Sequence, residues 1–66
     1  MARIWRNRVE AGTKKLANCP MKYRADVIEL IREDLANGDY TEQQLQQLVE
    51  SGMMTQEEYV EILGAD

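Results

Sequence analysis

Histidine and phenylalanine are missing from this 66-residue chain, and cysteine, proline, tryptophan and serine each occur once. A lone thiol, Cys19, rules out an internal disulfide, and without imidazoles a structural zinc site has almost no ligands to draw on. The same shortage bears on covalent catalysis, because a nucleophilic thiol or hydroxyl needs a base beside it. Cys19, next to Pro20, reads instead as a small buried or half-buried core residue, and Ser51 sits where a helix ends. Calcium-loop, phosphate-loop and dinucleotide fingerprints are also absent. Two carboxylate pairs, Glu29 with Glu33 and Glu57 with Glu61, stand one helical turn apart. Both are expected on wet faces, where acids are common in a chain of this charge. The expectation is therefore no enzyme, no cofactor, no metal and no small-molecule substrate.

Long apolar runs are lacking too. No segment approaches the roughly 20 residues of a membrane span, and the N-terminus has no signal-like run. The sequence reads as cytosolic, with no membrane role, and a single thiol agrees with a reducing compartment. At this length a chain is near the lower limit for folding alone and usually needs a staple. With disulfide and metal set aside, self-association or docking on a partner is the staple left.

What is present is a normal apolar share, 44%, and a lopsided charge under a net value of −4. Residues 1–24 carry seven basic side chains against Glu10 alone, whereas residues 25–66 carry Arg32 against eleven acids. Such polarity fits a nucleic-acid arm or an acidic docking face. It equally lets the basic end of a chain meet its own acidic end or a neighbour's.

The periodicity is helical throughout. Trp5, Val9, Gly12 and Leu16 form one stripe, with Glu10 and Lys14 at a favourable spacing on the exposed side. Gly12 weakens that helix and leaves two readings: a stop at Ala11, or a close approach by another backbone. "ANCP" breaks the chain, Asn18 either closing one helix or capping the next. In "MKYRADVIELIREDLANG" the residues Tyr23, Val27, Ile28, Leu30, Ile31 and Leu35 cover almost half of a helix, while Lys22, Asp26, Glu29, Arg32 and Glu33 hold the other side. Gly38 supplies a left-handed exit.

The last third says one thing twice. Thr41 with Gln44 and Thr55 with Glu58 are capping boxes; Tyr40 with Leu45 and Met54 with Tyr59 stand at hydrophobic-staple spacing. Gly52 and Gly64 close the two short helices. Leu45, Leu48, Val49, Tyr59, Ile62 and Leu63 are expected to face inward, the pair folding across the central helix. The predicted fold is one all-α domain over 1–66: a basic N-terminal helix near 3–16, a long central helix near 21–36, and short capped helices near 42–50 and 56–63.

Two places read as contact points. One is the N-terminal stripe with Trp5, Arg6, Arg8 and Val9; the other is the Met53–Met54 turn, whose thioethers adapt to a partner. The bland alternative packs Met54 in the staple and Met53 under the loop. Trp5 framed by Arg3, Arg6 and Arg8 also suits phosphates and bases, with Lys14 and Lys15 beyond. The two short helices have the layout of a helix-turn-helix, but the second, "TQEEYVEIL", carries three glutamates and no cation and would repel DNA.

Trp5, Asn7, Arg8, Gly38, Tyr40, Thr41, Val49, Gly52, Thr55, Glu57, Glu58, Tyr59, Ile62 and Gly64 together make a pattern. It resembles the XkdX-like family of short proteins from tailed phages and prophages of Gram-positive bacteria. Residues 12–36 read as an added segment, and Met54 stands where isoleucine is usual. The resemblance implies a phage source with genes near the tail-fibre and lysis region, and it implies no biochemical activity. The expected role is a helical adaptor that binds itself or a larger phage or host protein. It would sit in the cytoplasm of an infected cell or in the virion; nucleic-acid binding through the basic helix is the alternative.

Overall fold

The structure is a computed structural model that describes residues 1–64. Its elements are α1 (Ala2–Glu10), a single 3-10 turn (Leu16–Asn18), α2 (Met21–Asn37), α3 (Glu42–Glu50) and α4 (Gln56–Leu63), with no strand among the described residues. The all-α expectation holds, and the last three helices fall within a residue of their expected bounds at each end.

The first helix differs. It is expected over 3–16 but ends at Glu10, because Gly12 takes the left-handed conformation at φ 76°. Gly12 N–H then donates to Val9 O and Thr13 N–H to Arg8 O, each at 3.0 Å, which closes the helix with paired reverse bonds. No backbone approaches Gly12; a Cβ at this position would have Cδ2 of Leu48 as its nearest neighbour, at 3.6 Å. The expected Glu10–Lys14 pair on an exposed helical face therefore does not exist. Asn18 ends the 3-10 turn and does not cap α2, whose N-cap position is Pro20.

Both capping boxes are complete. Thr41 Oγ1 accepts from Gln44 N–H at 3.2 Å while Gln44 Oε1 accepts from Thr41 N–H at 3.0 Å. Thr55 Oγ1 accepts from Glu58 N–H at 3.1 Å, and Glu58 Oε1 from Thr55 N–H at 2.9 Å. Each box satisfies two backbone donors that a helix start leaves without partners. All four staple residues, Tyr40, Leu45, Met54 and Tyr59, are buried.

A third copy of the turn follows α1. "AGTKK" has the same backbone course as "SGMMT", with Lys15 at the threonine position, in extended geometry and making no side-chain cap bond. Asn18 stands where Gln44 and Glu58 close their boxes, and Pro20 follows two residues on. Without a box to offset the cost of nucleation, this copy launches one 3-10 turn and stops.

The core joins Val9, Leu16, Cys19, Val27, Ile28, Ile31, Tyr40, Leu45, Leu48, Met54, Tyr59 and Ile62. Helices α1 and α4 both lie along α2, and α3 packs chiefly on α4. The expected clamp across the central helix is thus made directly by α4. The Cα radius of gyration, 10.4 Å, is close to the ~11 Å expected for one folded domain of this length.

Candidate functional site

α1 has neither a side-chain cap at its start nor an acid in its first turn, and Arg3 there opposes the helix dipole. Its anchorage is tertiary. Val9 is fully buried, Trp5 is half-buried against the core, and Arg6 Nη1 contacts Asp34 Oδ1 of α2 at 3.2 Å. Tyr40 Oη donates to the Glu10 carbonyl at 3.1 Å and so satisfies an acceptor that the helix end leaves open.

The sequence-predicted contact residues separate accordingly. Val9, at 0% exposure, and Met54, at 4%, belong to the core and offer no surface to a partner, which corrects the expectation for both. Apolar contact inside the fold claims them first: Val9 faces α2 and Met54 is half of a staple. Met53 is half-buried against the core, so the turn keeps only a partial thioether surface. Arg6 is engaged with Asp34. Arg8 remains exposed, its guanidinium 5.7 Å from the centroid of the Trp5 ring, a cation–π distance. Trp5, Arg6, Arg8 and Val9 thus share one helix, while Met53 and Met54 sit in the turn between α3 and α4.

Periodicity missed four exposed apolar residues, Met21 on α2, Val60 on α4 and two at the start of the chain. Met1 is 66% exposed and Ile4 45%, and Ile4 and Arg8 stand one turn apart on the outer face of α1. Arg3 and Arg8 on this helix, with Lys14 and Lys15 after it, make no ion pair among the described residues. The other arginines are all engaged. Arg24 grips Glu61 with two hydrogen bonds, at 2.9 and 3.0 Å, while Arg32 bonds Glu29 at 2.9 Å and also reaches the end of α4. The Arg24 bond, only partly offset by burial, holds the Glu61 carboxyl below its ordinary pKa. The lopsided charge is therefore partly neutralised inside one chain, and what remains free is concentrated on and just after α1.

Cys19 is buried, its Sγ 3.6 Å from the Pro20 carbonyl, and burial pushes the thiol pKa up, away from the reactive thiolate. No group of three or more metal-ligating side chains comes together among the described residues. Nor is any described helix long and apolar enough to cross a membrane.

No curated protein and no solved structure matches the chain. A family model described as phage uncharacterised protein (Phage_XkdX) does match, over residues 30–66. The match begins inside the 12–36 stretch expected to be an addition and does not reach Trp5, Asn7 or Arg8. It takes in the second half of α2 and both threonine-capped helices. Because the match spans more than half of the sequence, the chain belongs to this family of phage proteins.

Proposed function

We propose that this phage protein is a non-enzymatic helical adaptor that binds a second copy of itself or a larger phage or host protein, in the tail or lysis module. The observation that carries the reading is the outer face of α1, where Met1 and Ile4 stand exposed beside Arg3 and Arg8, which make no ion pair among the described residues. Apolar surface framed by free cations suits an acidic protein surface: the apolar part gives affinity and the charges give register and on-rate. The small core supports the same reading, since chains of this size gain much from a partner.

Light scattering behind size exclusion tests the self-association half, with dimer or higher order expected at high concentration. Co-purification from infected cells tests docking on another protein, and Ile4→Glu should reduce capture. Particles purified from a lysate and analysed by mass spectrometry assign the protein to virion or host cytoplasm.

A second reading, nucleic-acid binding, is favoured by four cations on and after α1, Arg3, Arg8, Lys14 and Lys15, which make no ion pair among the described residues. Two features weigh against it. Arg6 is held by Asp34, and α4 carries Glu57, Glu58 and Glu61 with no cation. This reading requires a gel shift at low salt that fades as salt rises and disappears when the four cations are neutralised. No shift at low salt ends it.

A further inference from the structure

Glu10 is the last residue of α1, and its side chain turns inward toward the far end of α2. Its Oε2 is buried and no donor among the described residues reaches it. A buried carboxylate oxygen with neither water nor donor is costly, and the charged form is the costly one. The group opposite is another carboxyl, Asp34 of α2, placed for a hydrogen bond to Glu10. Two ionised carboxylates cannot make that bond; a protonated Glu10 can donate it.

Among the described residues one cation acts on Glu10. Arg6, a turn earlier on α1, contacts Asp34 at 3.2 Å. From the turn after α2 come Asp39, which adds negative charge, and Tyr40, whose hydroxyl already donates to the Glu10 carbonyl. From α3 and the turn after it, only the uncharged Gln44, Gln47, Leu48 and Ser51 line the open groove beside Glu10. One arginine thus faces three carboxyl groups, and a proton on Glu10 halves the excess negative charge.

We propose that Glu10 holds a proton, shares it with Asp34 only as a hydrogen-bond donor, and acts as a pH-sensitive latch, fastening the end of α1 to the C-terminal end of α2 and releasing it when that proton passes to solvent. Burial first, then the hydrogen bond and charge of Asp34, push the Glu10 carboxyl up to about 8, with Asp39 adding and Arg6 opposing. The latch is therefore closed at neutral pH and opens in mildly alkaline solution. The start of α1 has no side-chain cap, so the helix depends on tertiary contacts such as this one. This device is independent of the adaptor reading and concerns the chain alone.

Carbon-13 NMR of the Glu10 side-chain carboxyl, followed from pH 4 to 10 on the full wild-type chain, is the direct test. A midpoint well above the ordinary 4.5 is expected; a midpoint near 4.5 overturns the proposal. Trp5, the single tryptophan, reports release of α1. Its emission should shift to the red between about pH 7 and 9 in the wild type and stay constant in Glu10→Gln, whose amide supplies the missing donor without a titrating proton. An equal shift in both chains, or a raised Glu10 midpoint with no change at Trp5, overturns the latch. Should Glu10→Gln fail to fold, the two wild-type measurements still decide.

Discussion

Arg32 of α2 closes the end of α4: its Nε donates to the Ile62 carbonyl at 2.9 Å and its Nη2 to the Glu61 carbonyl. A helix leaves its last carbonyls without partners and its C-terminus partly negative, so a guanidinium placed there answers both needs. Helical spacing puts Arg32 on the solvent side of α2. It sits instead at the seam where α4 meets the central helix.

Arg32→Met should therefore destabilise the chain by about 1–3 kcal/mol, the cost of orphaned acceptors and a lost charge–dipole contact. Arg24→Met should cost less, about 0–1 kcal/mol, because the Arg24–Glu61 pair is largely solvated. Urea unfolding followed by circular dichroism ranks the two. Equal losses would contradict the capping role of Arg32.

The two capping boxes predict matched losses. Thr41→Ala and Thr55→Ala should each cost about 1 kcal/mol. Gly12→Ala should cost about 1–2 kcal/mol for a different reason, the left-handed backbone at φ 76°. A Cβ at residue 12 would meet only Leu48, at ordinary contact distance, so Gly12→Asn should recover part of the loss.

Core truncation should be decisive in so small a domain. Leu45 is fully buried, and Leu45→Ala is expected to cost about 2–5 kcal/mol. A core of this size supplies roughly 3–5 kcal/mol in total. Helical circular dichroism at 25 °C should fall steeply for Leu45→Ala and change little for exposed Val60→Ala.

Stability should fall on both sides of weakly acidic pH. Glu10 has a folded pKa raised from 4.5 to about 8, so the folded state binds more protons than the unfolded one between those values. Its contribution is complete below 4.5 and is lost as pH rises through about 8. Glu61, held down by Arg24, works the other way: its smaller contribution is present above 4.5 and is lost as acid protonates it. Melting temperature against pH should decline toward pH 9 in the wild type, and Glu10→Gln should flatten the alkaline limb alone.

What the residues announced was local. Thr41 and Thr55, the glutamine and glutamate three positions on, and the glycine before each turn dictate helix starts and stops through bonds only a few residues long. Even the early end of α1 was signalled by Gly12, although the stripe from Trp5 to Leu16 suggested continuity; Leu16 is buried, but on a separate turn. What stayed hidden depends on chain segments far apart. Arg32 meets carbonyls 29 and 30 residues away, and Asp34 sits 24 positions beyond Glu10 while Arg6 is 28 before it. Helical spacing cannot distinguish a wet carboxylate from one turned against another. The exposed apolar surface differs for the same reason: Val9 and Met54 pack inside, whereas Met1 and Ile4 are exposed on the side of Arg8.

Cross-linking mass spectrometry in infected cells tests the adaptor account most directly, using an amine-reactive linker that reads the N-terminus, Lys14 and Lys15 around α1. The account predicts intermolecular links from these amines, to a second copy or to another protein, that are lost in an Ile4→Glu, Arg8→Glu chain of unchanged circular dichroism. Links confined to a single chain, or intermolecular links that persist in that variant, would contradict it.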